Sequence, residues 1–141
     1  MTAWSNDYVG LPWRARGRDR AGLDCWGLVR LVYWERVGLS LPAYSESYAT
    51  AEERAEISSV ISGERASGDW REVDEPLVYD VALFRIGGLE SHVGVIVGPG
   101  LMLHVTEGHD SEIVRIFAPQ WAPRLSRVMR HCSMMDRARV R

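Results

Sequence analysis

The stretch AGLDCWGLVRLVY, residues 21–33, decides how this 141-residue chain can fold. Asp24 comes directly before a run that is apolar on most of its sides, and aspartate is a common N-cap residue of a helix. The sequence therefore predicts a largely buried helix over residues 25–37, which Gly38 ends. This helix opens on Cys25, one of only two cysteines in the chain. Its position next to an acid is the first clue to function.

Downstream of this helix the sequence pattern changes from helical to extended. Thr50 and Glu53 fit a capping box for a second, amphipathic helix that reaches about residue 62, and residues 63–76 read as a loop. Short β-rich runs separated by turn residues follow over residues 79–86, 92–97, 101–105, 112–117 and 126–131. Helices first and strands second predict an α+β fold with an antiparallel sheet of roughly five strands, in a single domain over residues 1–141.

The composition fits an ordinary globular domain. A net charge of −2 gives no bulk attraction to nucleic acid, so no nucleic-acid partner is expected. No window holds the roughly 18 apolar residues that a membrane-spanning helix needs, so no membrane insertion is expected. The first residues, MTAWSNDYVG, lack the charged-then-apolar order of a signal peptide, and we expect synthesis in a cytoplasm. Two cysteines make no disulfide framework, although one bridge between Cys25 and Cys132 stays open.

The stretch SHVGVIVGPGLMLHV, residues 91–105, predicts a hairpin that brings two histidines together. A three-residue loop at 98–100 fixes the strand pairing. The predicted pairs on the apolar face are Val97 with Leu101, Val95 with Leu103 and Val93 with Val105. His92 and His104 then share the opposite face, roughly 5–8 Å apart at their β-carbons, with Gly94 leaving room between them. Two imidazoles in this arrangement indicate a metal site, a base with its orienting partner, or buried core histidines.

The predicted positions suit nucleophilic catalysis by a thiol. Cys25 in the first turn of a helix meets the positive end of the helix dipole, which lowers the pKa of a thiol. His92 can accept the thiol proton and later protonate a leaving amine, while His104 orients that base. The backbone N–H of Cys25 can donate to an oxyanion. The alternatives are a structural buried thiol, or zinc bound by these three residues, for which the chain offers no tight spacing such as CxxC.

Together these segments resemble the NlpC/P60 family of papain-like cell-wall peptidases. The resemblance covers roughly residues 8–105 and rests on LDCWGLVRLVYWERVGLSLP, DVALF, SHVGVIVGPG and LMLHV. It implies a papain-like α+β fold with Cys25 as nucleophile, His92 as general base and His104 as the orienting residue, and no metal or other cofactor. The implied substrate is the peptide stem of peptidoglycan, cut between γ-D-glutamate and the following diamino acid.

The resemblance also implies three substrate-binding positions around the nucleophile. Asp24 matches an acid that helps to receive the free amine of the substrate. Trp13 stands where many relatives carry a tyrosine near the oxyanion site, and its indole N–H is still a donor. Trp26 replaces a serine that follows the nucleophile in many relatives, and we expect it to reshape the substrate groove. The other tryptophans are expected to be core or rim anchors: Trp4, Trp34, Trp70 and Trp121.

The segment DCWGLVRLVY looks most like the branch of the family carried by tailed phages and gene transfer agents. That resemblance implies an enzyme that opens the bacterial cell wall during DNA delivery. The chain would be built into the tail of a particle, with tail hub or tip proteins as partners, and would act in the periplasm. Two alternatives stay open. One is a structural tail-tip or hub-associated assembly subunit that retains the peptidase fold, and the other is an acyltransferase on the same fold.

Overall fold

The computed structural model describes residues 3–44 and 53–135, and in those parts the chain adopts an α+β fold. Its two α-helices are α1, Cys25–Val32, and α2, Glu53–Ala66. The strands are β1 (Arg18–Asp19), β2 (Gly22–Leu23), β3 (Trp70–Val73), β4 (Val81–Ile86), β5 (Leu89–Gly98), β6 (Leu101–His104), β7 (Glu112–Arg115) and β8 (Leu125–His131). Strands β1 and β2 pair with each other, and the other six form an antiparallel sheet in the order β3-β8-β4-β5-β6-β7. The α+β class and the antiparallel sheet predicted from the sequence are confirmed.

The six-stranded sheet buries side chains on both of its faces. Because side chains alternate along a strand, neighbouring residues of β4 and β5 enter different clusters. The cluster on the helix face includes Leu28, Val32, Ile57, Val81, Leu83, Val93, Val95 and Leu103. The cluster on the opposite face consists of Ala82, Phe84, Ile96, Met102, Ile116, Trp121 and Val128. Two members of this second cluster, Ile116 and Trp121, come from the irregular segment between β7 and β8. None of the helices in the described residues has the length and apolar character needed to cross a membrane.

Helix α1 begins and ends as the sequence predicts. The carboxylate of Asp24 accepts a 2.7 Å hydrogen bond from the backbone N–H of Gly27 and lies 2.7 Å from the guanidinium of Arg18. A carboxylate at this end of a helix also interacts favourably with the helix dipole. The last turn, Tyr33–Val37, is π-helical, and Gly38 ends it with a φ of 80°, a left-handed conformation that favours glycine.

Two glycines let the loop before α1 contact the helix directly. A β-carbon at Gly27 would lie 2.0 Å from the carbonyl oxygen of Gly17. A β-carbon at Gly17 would in turn lie 2.0 Å from the carbonyl oxygen of Gly22. Because both distances are far below van der Waals contact, any larger residue would push the loop away from the helix. The contact therefore fixes β1 and β2 against the first turn of α1.

The segment over residues 63–76 differs from its prediction as a loop. It contains the end of α2, which reaches Ala66 rather than residue 62, and the whole of β3. Strand β3 pairs with β8 at the edge of the sheet, and its residues are half-buried or exposed. An edge strand of this kind lacks the apolar alternation by which a strand is recognised, so the sheet has one strand more than predicted. The predicted capping box involves Thr50, which lies outside the described residues.

The hairpin of β5 and β6 also departs in part from its predicted register. The pair Val95–Leu103 is present, as predicted. Gly98 rather than Val97 pairs with Leu101, because the register shifts after residue 96. The turn is therefore shorter than the predicted three residues, and a bulge absorbs the difference on β5. Strand β6 ends at His104, so the predicted ladder pair of Val93 with Val105 is not formed.

A buried ion pair fixes the chain where it enters β4. Arg130 donates to both carboxylate oxygens of Asp80, through Nε at 2.8 Å and Nη2 at 2.7 Å. The same carboxylate accepts from the backbone N–H of Leu77, and the guanidinium also donates to the carbonyl of Glu75. This bidentate geometry gives strong, directional hydrogen bonds. It ties the segment before β4 to strand β8.

Replacing Arg130 tests the importance of this pair. Arg130→Met should lower the free energy of unfolding by about 3–5 kcal/mol, because it leaves the carboxylate of Asp80 buried without its cation. Urea denaturation at neutral pH measures the loss. The control is Arg20→Met, whose partner Glu35 has a side chain 36% exposed. There the expected loss is at most about 1 kcal/mol. Equal losses in the two variants would contradict a structural role for the buried pair.

Candidate active site

Two histidines form a directly bonded pair on the face of the sheet opposite the helices. His92 lies on β5, across from Phe84 of β4, and His104 is the last residue of β6. Nε2 of His92 lies 2.8 Å from Nδ1 of His104, a hydrogen bond between the two rings. One ring donates and the other accepts, so the bond couples their tautomers. The shared face predicted for these two residues is confirmed.

Gly94 allows close packing beside the histidine pair. A β-carbon at this position would lie 2.7 Å from Sδ of Met102 and 3.4 Å from Cβ of His104. The missing side chain does leave room, as predicted, but the thioether of Met102 occupies part of it. Any larger residue at Gly94 would displace the side chain of Met102 beside the pair.

Burial sets the protonation state of the pair. His92 is 5% exposed and His104 is 2% exposed. Burial, together with the neighbouring ring of His104, lowers the pKa of His92 to about 3. Burial lowers the pKa of His104 to about 4. Both imidazoles are therefore neutral at pH 7, which is the state that a general base requires.

Trp121 contacts both rings of the pair. Its ring centroid lies 5.3 Å from that of His92 at an interplanar angle of 23°, which is a stacked arrangement. It lies 4.8 Å from that of His104 at 85°, which is an edge-on arrangement. The sequence predicts Trp121 only as a core or rim anchor. Its contact with the pair gives no signal in the sequence, because Trp121 lies in an irregular segment, 29 positions after His92 and 17 after His104.

Cys25 is the first residue of α1, as predicted, and α1 packs against β5, the strand that carries His92. The cysteine is 2% exposed and belongs to the cluster on the helix face. Cys25 and Cys132 are not joined, so the disulfide left open by the sequence is not formed. The structure thus places the candidate nucleophile and the candidate base on two elements in direct contact.

Asp24 is fully buried beside Cys25. Its carboxylate bonds to Gly27 and Arg18, so it fixes the first turn of the helix and the loop before it. Burial raises the pKa of Asp24, and the positive charge of Arg18 opposes that rise. Binding of a substrate amine by Asp24 stays a prediction, and such binding would have to compete with Arg18.

The two tryptophans near the nucleophile have different surroundings. Trp26 is 3% exposed, and its indole N–H donates to the carbonyl of Pro42 at 2.9 Å. Its ring meets the edge of Tyr44 at 6.3 Å, so the side chain points into the core. Trp13 is half-buried and forms a β-bridge with Leu23, two residues before the nucleophile. Substrate contacts by Trp13 and Trp26 stay predictions.

A cavity of about 430 Å³ lies beside the histidine pair. His104 and Trp121 form its inner wall, Glu107 and His109 line it from the segment that joins β6 to β7, and Glu112 lines it from β7. Within residues 3–44 and 53–135, no group of three His, Cys, Asp or Glu side chains is arranged to hold a metal ion. The geometry of these residues therefore gives no support to the zinc alternative.

Comparison with known proteins identifies the family. The model of the NlpC/P60 family matches residues 10–130, so the chain belongs to that family. It is 27% identical over 124 residues to the murein DD-endopeptidase MepS/murein LD-carboxypeptidase of Escherichia coli. It is 26% identical over 117 residues to a probable endopeptidase NlpC homolog of Haemophilus influenzae. These alignments cover 88% and 83% of this chain but 57% and 54% of the relatives, so the chain spans little more than half of their length.

Solved structures show the same fold. The NlpC/P60 domain of the peptidoglycan hydrolase SagA superposes with a TM-score of 0.61 at 20% identity, over 89% of this chain and 92% of that chain. An NlpC/P60 family protein from Bacillus cereus superposes with a TM-score of 0.66 at 19% identity, over 91% of this chain and 38% of that chain. The papain-like NlpC/P60 fold expected from the sequence is therefore confirmed.

The pH dependence of stability tests the neutral, buried state of the pair. A histidine in an unfolded chain titrates near pH 6.5, whereas the folded pKa values of His92 and His104 are about 3 and about 4. Between these limits the unfolded state binds more protons than the folded state. The free energy of unfolding should therefore fall as the pH falls, by about 1.4 kcal/mol per pH unit for each histidine.

Urea denaturation between about pH 7 and pH 5 measures this slope. The matched control is the double variant His92→Asn, His104→Asn, which removes both imidazoles and keeps small polar side chains in their place. The double variant should lose most of the slope that the wild-type chain shows over this range. A slope unchanged by the two substitutions would show that this pair is not the source of the pH dependence.

Proposed function

We propose that this chain is a cysteine peptidase that hydrolyses peptide bonds in the stems of peptidoglycan. The observation that carries the proposal is the 2.8 Å bond between His92 and His104, because it fixes one nitrogen of the base. Membership of the NlpC/P60 family supports it, as do relatives named as murein endopeptidases. The position of Cys25 at the start of a helix that packs on β5 supports it further.

The histidine pair determines which nitrogen acts as the base. If Nε2 of His92 donates its proton to Nδ1 of His104, then Nδ1 of His92 carries a lone pair. That nitrogen accepts the thiol proton of Cys25. The ring of His104 then holds its own proton on Nε2 and keeps His92 in this tautomer, which is the part of an orienting residue in a catalytic triad.

The proposed reaction proceeds through a thioester. The Cys25 sulfur attacks the amide carbonyl carbon as its proton moves to His92, and the negative charge develops on the carbonyl oxygen. The backbone N–H of Cys25 lies in the first turn of α1, where it can donate to that oxygen. The amide C–N bond then breaks, and His92 gives its proton to the leaving amine. His92 next takes a proton from water, the hydroxide attacks the thioester carbonyl, and the C–S bond breaks to release the carboxylic acid product. His92 then returns its proton to the Cys25 sulfur and restores the thiol.

The substrate bond is proposed from the family resemblance. It is the bond between γ-D-glutamate and the following diamino acid of the stem peptide. The name of MepS includes the terms murein DD-endopeptidase and murein LD-carboxypeptidase, so other specificities have to be tested beside this one. A panel of uncross-linked stem peptides and cross-linked dimers separates these specificities, since each cleavage gives products of different mass.

Replacing the nucleophile tests the proposed chemistry. Cys25→Ala should lower turnover of diamino-acid stem peptides by at least about a thousandfold, because it removes the thiol that forms the thioester. Liquid chromatography with mass spectrometry measures the products. Cys132→Ala is the control, since Cys132 is an exposed thiol outside the site, and it should keep its activity within about twofold. Turnover that survives in a folded Cys25→Ala protein would rule out the thioester mechanism.

We further propose that the enzyme works from the tail of a phage or a gene transfer agent, with tail hub or tip proteins as its partners. The support is the resemblance of DCWGLVRLVY to that branch of the family. The competing role is a structural tail subunit that keeps the peptidase fold. Particles assembled with the Cys25→Ala chain distinguish the two. Complete particles that deliver DNA poorly are expected, whereas missing tails would favour the structural role.

A further inference from the structure

Trp121 forms the aromatic cover of the histidine pair. It stacks on His92 and meets His104 edge-on, as described above, and its edge also contacts Phe84 at 5.4 Å. Phe84 lies 5.9 Å from His92, so both large aromatic side chains of this cluster contact the same imidazole. Trp121 is only 7% exposed. The contacts are therefore made inside the protein, where a ring has little freedom to move.

The backbone around Trp121 is held on both sides. Its N–H donates to the carbonyl of Ala118 at 2.9 Å. Its own carbonyl accepts from the N–H groups of Arg124 and Leu125, at 2.9 and 3.1 Å, where a short 3₁₀ turn leads into β8. These hydrogen bonds join the backbone of Trp121 to the turn that leads into β8.

A fixed ring of this kind restricts the rotation of its neighbours. An imidazole on a strand can rotate about the bond between Cβ and the ring, and that rotation would break the 2.8 Å bond between the two histidines. Stacked and edge-on aromatic contacts each favour one ring orientation. Trp121 makes one contact of each kind, so it constrains both planes at once. The cavity beside His104 shows why such a cover matters, because water there could otherwise compete for the ring nitrogens.

We propose that Trp121 is a positioning residue that holds the rings of His92 and His104 in the orientation in which they bond to each other. The inference rests on the proposed function only for its effect on turnover. The orientation of the pair itself can be observed without any substrate. If the chain proved not to be a peptidase, the effect of Trp121 on the two rings could still be measured.

The experiment compares Trp121→Phe and Trp121→Leu with the wild-type chain. In the Cys25→Ala background, nitrogen-15 NMR of the histidine rings should show a hydrogen-bonded N–H proton shared between His92 and His104. This signal should weaken in the Phe variant and disappear in the Leu variant. In the enzyme with Cys25 intact, kcat should fall by about threefold for Phe and about tenfold for Leu, with KM within about twofold.

Trp70 supplies a matched control on the other side of the sheet. Its indole also meets a histidine edge-on, His131 at 5.0 Å, but it lies away from the pair and donates to Glu64. Trp70→Leu and Trp70→Phe should leave both the ring-proton signal and kcat unchanged. If Trp121→Leu does not fold, Trp121→Phe against Trp70→Phe provides the same comparison.

Three results would overturn the proposal. An unchanged ring-proton signal in the folded Trp121 variants would show that the pair needs no support from the indole. A rise in KM with kcat unchanged would assign Trp121 to the wall of the cavity alone. Equal loss of signal in the variants of Trp121 and Trp70 would indicate a general effect on folding.

Discussion

The arrangement of the site depends on the two interactions of the buried Asp24 carboxylate, with Gly27 and with Arg18. The carboxylate accepts the N–H of Gly27 and pairs with Arg18, so one side chain joins the first turn of α1 to strand β1. Arg18 extends the connection, because it also donates to the carbonyls of Gly17 and Ala43. A charge in this position is costly unless such partners are present. Cys25 is the next residue, so the same bonds fix the backbone that carries the candidate nucleophile.

Cys25 and the histidine pair are held by different packing clusters. Cys25 belongs to the cluster that packs α1 against β5, whereas the histidine pair lies under Trp121 on the face of the second cluster. Burial on that face keeps both imidazoles neutral, but it also disfavours the charged form that His92 must take when it accepts a proton. In the proposed mechanism, the thiolate of Cys25 and the π-face of Trp121 stabilise that cation. The low pKa values of the two histidines and their contact with Trp121 thus both follow from burial on this face.

The features that could be predicted from the sequence depend on residues that lie close together along the chain. The cap at Asp24, the helix after it and its end at Gly38 depend on contacts within a few residues. The shared face of His92 and His104 follows from the alternation of a single hairpin, even though a bulge shifts the pairing near Gly98. The fold follows from motifs that resemble a known family, and the comparisons confirm it.

What could not be predicted arises from contacts between distant segments. Strand β3 is an edge strand whose exposed residues carry no apolar alternation, so only its pairing with β8 reveals it. Trp121 reaches the histidines from an irregular segment, and no periodicity marks such a residue. The pairing of Asp24 with Arg18 crosses a turn that depends on the close contact of Gly17 with Gly27. Each of these features is decided by packing rather than by the local pattern.

The proposed mechanism depends on the activation of the Cys25 thiol by His92. The most direct measurement is the rate at which iodoacetamide alkylates each cysteine at pH 7, followed by mass spectrometry in the wild-type chain and in His92→Ala. Cys25 is 2% exposed and Cys132 is exposed, so access alone favours Cys132. We expect Cys25 nevertheless to react faster in the wild-type chain and to lose this advantage in His92→Ala. A Cys25 that reacts no faster than Cys132, with a rate that the substitution leaves unchanged, would contradict it.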